Sequence, residues 1–281
     1  MIRTIAVAFL FTLGMAACGG GGDDAGPKPL TISMYGKPIV SSSATAVAHS
    51  QFSFISAAVA ADAPNSASDA QATVQSLTAA LAARGVTADI TPQVMNATAL
   101  HEIVTTNYNG KSPTPDQFKT DPSSWLIVNF QLDDMVTPAS DSAQQAAMKQ
   151  FTQDLLVFTQ WAAVAGKAVW VVEPILTCDT QYSASFGLLT AEQEAFSDGA
   201  PLHFIGQVPL SILWPGNGGA PSAADGQSLS HLGADCRTPD DYLNNALLNS
   251  IADQIASVYK ESGGASAASD TSGASTPAAS Q

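Results

Sequence analysis

Ala168-Val-Trp-Val-Val172 is a run of five apolar residues with no polar face. A strand of that composition has to be covered on both sides, which is the situation of an inner strand in a parallel sheet. Upstream, Ser142 to Ala165 sets Met148, Phe151, Leu155, Phe158 and Ala162 on one helical face, and Gly166 stands where such a helix ends. Before that helix, Trp125-Leu-Ile-Val-Asn-Phe-Gln-Leu132 reads as another strand. Strand, helix and buried strand in succession confine the chain to layered α/β folds.

The rest of the middle region repeats the alternation. Leu30 to Tyr35 alternates apolar and polar residues as a strand does, and Ser68 to Arg84 carries Val74, Leu77 and Leu81 at helical spacing before Gly85. Val86 to Ile90 and His203 to Val208 read as shorter strands. The last helix has Thr238 as its expected N-cap, Pro239 in the first helical position and Asp240 and Asp241 in the first turn. Its expected buried stripe is Tyr242, Leu243, Ala246, Leu247, Ile251, Ile255 and Tyr259. The order predicts one α/β domain over residues 30–261, a flavodoxin-like three-layer sandwich with a mostly parallel sheet.

The two ends differ from this middle. Arg3 and the apolar run from Ile5 to Leu13 have the form of a signal peptide over residues 1–17, too short to span a bilayer. Met15-Ala-Ala-Cys18 follows and resembles a bacterial lipobox, in which the cysteine is lipidated and becomes the first residue. Residues 18–29 then read as a Gly-rich tether, and Gly19 after Cys18 resembles the outer-membrane form of such lipoproteins, facing the periplasm. Residues 262–281, mostly Ser, Ala, Gly and Thr, are expected to be disordered. In an oxidising envelope compartment Cys178 and Cys236 are expected to pair as a disulfide. The partners expected are therefore the membrane, through the lipid anchor, and an envelope glycan or protein. With 10 Lys and Arg against 24 Asp and Glu, a formal charge of −14, no basic face is expected for nucleic acid.

In folds of this type ligands bind outside the carboxyl ends of the strands, so the residues there are the candidates. They are Gly36-Lys37-Pro38, Gln131-Leu132-Asp133-Asp134, Glu173-Pro174 and Ser228-Leu-Ser-His231. Their order resembles the SGNH (GDSL-type) hydrolases, esterases and carbohydrate deacetylases on a flavodoxin-like sheet. The resemblance places Gly36 at the family's Gly-Asp-Ser motif, where Lys37 and Pro38 replace the acid and the nucleophile. It places Asp133 at the oxyanion-binding Asn, where a carboxylate would repel the developing charge. His231 keeps the catalytic base, while Ser228 replaces the acid that orients it. The resemblance thus implies a degenerate, non-catalytic member, with Gly36, Lys37, Asn96, Asp133 and Asp134 as a binding cleft. The alternative keeps an ester hydrolase, with Ser41, Ser42 or Ser43 as nucleophile, His231 as base and Asp225 as its orienting acid. Neither reading needs a metal or a cofactor. Trp214, ahead of Pro215 and a Gly-rich loop, is a further candidate contact residue, whereas Trp161 and Trp170 read as core.

Overall fold

The computed structural model describes residues 29–40, 66–105, 116–216 and 219–263. The expected leader 1–17, the lipidation residue Cys18, the tether up to residue 28, Ser41, Ser42, Ser43 and tail residues 264–281 lie outside the described residues.

Strand β1 (Leu30–Gly36) leads through α1 (Ser66–Ala83) to β2 (Ala88–Val94). Two short helices, α2 (Leu100–Thr105) and α3 (Asp116–Thr120), precede β3 (Trp125–Asn129). Then come α4 (Ser142–Val164), β4 (Ala168–Val172), α5 (Ala184–Ser197) and β5 (Leu202–Ile205). A two-stranded antiparallel pair, β6 (Ile212–Leu213) and β7 (Ser222–Ala223), and a 3-10 turn (Ser228–Leu232) separate β5 from α6 (Asp241–Glu261). The five long strands pair in parallel in the order β2-β1-β3-β4-β5. That is the flavodoxin-like order, with its switch point between β1 and β3.

The period-two pattern of each strand sorts its side chains into two cores. Tyr35, Leu126, Val128, Val169 and Val171 face α2, α4 and α5, where Phe158 is packed edge-on against Tyr35, Phe118 and Phe130. Ile32, Met34, Ile127, Trp170 and Val172 face α1 and α6, against Leu77, Leu81, Ile251 and Ile255. The sheet is buried on both sides, as the composition of β4 requires. A third cluster of Cys178, Leu210, Leu232 and Leu243 lies beneath the loops before α6, and Trp214 packs half-buried against it instead of standing free.

Strand β2 lies two residues later at its start and four at its end than expected and β5 ends three residues sooner, and three further differences have a clear physical cause. β3 stops at Asn129 although Phe130 and Leu132 remain buried, because the Gln131 amide leaves the ladder and donates to Ala97 O (2.8 Å). The cap of α6 is Asp240, which accepts from the amides of Tyr242 (3.0 Å) and Leu243 (3.2 Å), while the Thr238 hydroxyl is held by Asp235 (2.8 Å). Tyr242 is 62% exposed and stacks on His231 rather than joining the buried stripe. The Cys178–Cys236 disulfide is present, with the Cα atoms 5.1 Å apart, and the Cys178 amide donates to Cys236 O (2.9 Å). Beside it Arg237 Nε donates to Asp179 Oδ2 (2.9 Å), so covalent bond and ion pair together join the loop after β4 to the segment before α6.

Candidate functional site

A cleft of about 700 Å³ opens at the carboxyl ends of β1, β3 and β4. Its lining includes Lys37 and Pro38 after β1, Asp133 after β3, Glu173 after β4, and Arg237 and Pro239 ahead of α6. The switch point between β1 and β3 forms its floor.

That floor is locked. Gly36 has φ +90°, and a Cβ there would lie 2.3 Å from Asn129 O, so only glycine lets the two strands come this close. The Lys37 amide donates to Asn129 O (2.7 Å), and Asn129 Nδ2 returns a bond to Lys37 O (2.8 Å). Pro38 has no N–H to give. The amides of Ile39 and Val40 both donate to Thr73 Oγ1 on α1, each at 3.0 Å, and Thr73 is fully buried. Every backbone N–H from residue 37 to residue 40 is therefore either committed inside the protein or absent.

The electrostatics are mixed. Lys37 reaches solvent through the mouth of the cleft while the walls surround it, and this desolvation lowers its ammonium pKa. Partial burial raises the carboxyl pKa of Glu173. Behind Glu173 lies Glu192 of α5, 1% exposed, with Oε2 lacking a hydrogen-bond partner. Burial first, and the charge of Glu173 second, push the Glu192 pKa well above the ordinary glutamate range. Ser185, also in the lining, has its hydroxyl engaged with the Thr177 amide (2.9 Å), Thr177 Oγ1 (3.0 Å) and Ser183 Oγ (2.9 Å). Among the described residues no histidine lines the cleft. No group of three or more His, Cys, Asp or Glu side chains among them is placed to hold a metal ion.

The structure separates the remaining candidates. Asp133 lines the cleft, but Asp134 turns back on its own loop, accepting from the Val136 amide (2.7 Å), the Thr137 amide (3.0 Å) and the Thr137 hydroxyl (2.5 Å). Those bonds, the Thr137 hydroxyl foremost, lower its pKa. Asn96 Oδ1 likewise accepts from the Thr98 amide (3.1 Å). His231 lies on the 3-10 turn, where Nδ1 meets Asp240 Oδ2 at 2.7 Å and the ring stacks on Tyr242 with centroids 4.3 Å apart. The carboxylate that orients His231 is thus Asp240, not Asp225. Asp225 is taken by its own turn, accepting from the Ser228 hydroxyl and amide and from the Gln227 amide. Ser41, Ser42 and Ser43 lie outside the described residues.

Sequence reasoning did not pick out Asn129, Thr73, Arg237 or Glu192. Asn129 is hidden inside an apolar strand run, and Thr73 reads as one more helical polar residue. A polar residue at the last position of a buried strand was the signal for the former.

No family model and no curated protein sequence matches the chain. The crystal structure of a carbohydrate esterase family 2 enzyme with a carbohydrate binding domain, from Corynascus thermopiles (Myceliophthora fergusii), is similar over 85% of this chain and 69% of its own. The identity is 16% and the TM-score 0.38, a likeness too distant to bear on chemistry.

Proposed function

We propose that the chain is a cell-envelope lipoprotein, anchored through Cys18 to the outer membrane. Its SGNH-like strand-end cleft binds an envelope glycan or a protein partner without hydrolysing it. One observation carries the non-catalytic reading. The turn after β1, where such a domain needs a nucleophile and amide donors, holds Lys37 and Pro38, with every remaining N–H bonded to Asn129 or Thr73. A tetrahedral oxyanion at that turn finds no free backbone donor. The cleft keeps what binding requires: apolar walls from Ile39, Leu132 and Ile175, with charged groups of both signs.

The test is labelling of the folded protein with a fluorophosphonate, read by intact mass and residue mapping. No serine adduct is expected. A stoichiometric adduct on one serine would overturn the proposal. For the anchor, Cys18→Ser is expected to abolish incorporation of labelled fatty acid and release the protein from the membrane fraction; retained label would refute it.

A second reading is an SGNH-type serine esterase or deacetylase with Ser41, Ser42 or Ser43 as nucleophile. What favours it is the His231–Asp240 pair. The Asp240 carboxylate is fixed by the first amides of α6, and its pKa is lowered, chiefly by the His231 hydrogen bond. Under this reading His231→Ala abolishes hydrolysis of a short acyl ester and leaves thermal unfolding nearly unchanged. Hydrolysis that survives the substitution would dismiss it.

A further inference from the structure

Away from the strand-end cleft, α4 and α5 lie side by side and leave a groove of about 620 Å³ between their outer faces. At its upper end stand Tyr182 and Phe186, 49% and 41% exposed, with ring centroids 6.0 Å apart and planes at 65°. Leaving two touching aromatic rings in water forgoes the burial that drives their packing elsewhere. Their positions are fixed all the same. The Ala139 amide donates to Tyr182 O (2.7 Å), and Ser183 caps α5 by accepting from the Phe186 amide (3.3 Å). Next to Phe186, Gly187 lies so close to the loop before α4 and to α4 itself that a Cβ would be 2.9 Å from Ala139 Cβ and 3.0 Å from Met148 Sδ.

Along the rest of the groove the chemistry changes. Gln145, Lys149 and Gln153 follow one another at four-residue spacing along α4, opposite Thr190 and Glu194 of α5. The side chains of Gln145, Lys149, Gln153 and Glu194 make no hydrogen bond or ion pair among the described residues, although they border the same groove. An apolar end thus continues into a row of unspent donors and acceptors, two of them neutral amides and two, Lys149 and Glu194, of opposite charge. An anionic ligand is disfavoured by the net charge of −14 and by Glu194 and Asp198 against a single Lys149. An amphipathic helix would need apolar anchors along the whole length, and they occur at one end alone. We propose that this groove binds a neutral saccharide chain. One sugar ring sits in the angle between Tyr182 and Phe186, its C–H face on one of them and its edge against the other, and the hydroxyls of the following rings meet Gln145, Gln153 and Glu194. The site is separate from the strand-end cleft and does not depend on what that cleft does.

The experiment uses the full chain in a detergent without a sugar headgroup, titrated calorimetrically with cellohexaose, xylohexaose, mannohexaose and chitohexaose. Binding of at least one is expected. Tyr182→Ala and Phe186→Ala should each weaken it about tenfold, in line with about 1.4 kcal/mol per lost ring contact. Because both rings are about half exposed, the unfolding midpoint should fall by only a few degrees. Asp133→Ala, in the strand-end cleft, should leave this affinity unchanged. Absence of binding to all four sugars would overturn the inference. So would binding that withstands both aromatic substitutions, and loss on Asp133→Ala with the groove variants intact would place the saccharide in the cleft instead.

Discussion

Glu192→Gln tests the electrostatic reading of the buried carboxyl that feels the charge of Glu173 in the cleft. Glu192 is fully buried, lacks a partner at Oε2 and sits near Glu173, so folding favours its protonated form. A carboxyl whose pKa is raised on folding stabilises the native state fully below its unfolded value, here the ordinary 4.5. That contribution is lost as pH rises from there to the folded value, above which the loss is constant. Within this window the native state holds one proton more than the unfolded chain, so stability falls by about 1.4 kcal/mol per pH unit from this group alone. Glutamine cannot ionise, and the variant should lack that slope. It does bring an amide N–H2 into a place without a partner, which costs about 1–3 kcal/mol. The variant should therefore be the less stable protein near pH 4 and gain on the wild type as pH rises, with the two curves crossing. For a folded region of this size, each pH unit in the window corresponds to about 3–5 °C in relative Tm. Urea unfolding of both proteins between about pH 4 and about pH 8 reads the difference directly. A stability difference that stays flat with pH would refute the argument. In a Glu173→Gln background the slope should end at a lower pH, since the charge that helps hold Glu192 protonated is gone.

Thr73→Val should cost about 2–4 kcal/mol by leaving the buried amides of Ile39 and Val40 unpaired, and Thr73→Ser should restore most of it in chemical denaturation. Gly36→Ala sets a Cβ against the Asn129 carbonyl at a positive φ; a loss above about 3 kcal/mol or failure to fold is expected, and a mild effect in the same assay would contradict the locked floor. Replacing both Cys178 and Cys236 by serine removes a bridge across 58 residues and should cost about 4 kcal/mol in the chain-entropy account, with thermal unfolding as the check.

How far the sequence speaks for the structure depends on how local the deciding interaction is. β4 was legible to the residue, because an apolar run between Gly166 and Glu173 has one way to be covered. α5 was missed altogether. Apart from Leu188, its buried face is Ala184, Ser185, Gly187, Ala191, Glu192 and Ala195, small or polar residues that make no apolar stripe and serve instead to bring α5 close to α4. The cleft's location followed from strand order, but its wiring did not. Asp225 lay at a suitable distance in sequence from His231, yet Ser228 stands nearer and occupies its carboxylate, leaving His231 to the cap of α6. Asp134 and Asn96 were drawn into their own turns in the same way, since a short acceptor finds amides two or three residues ahead before it finds a ligand.

The bridge between Cys178 and Cys236 has a mechanical side. α5, the edge strand β5 and the β6–β7 pair all lie inside the covalent ring it closes, whereas β1, β3 and β4 lie outside. A chain pulled by its two ends can lose the packing of those ringed elements but cannot draw them out into line. Its fully stretched length stays shorter by about 200 Å, the reach of 58 residues, until a reductant opens the ring.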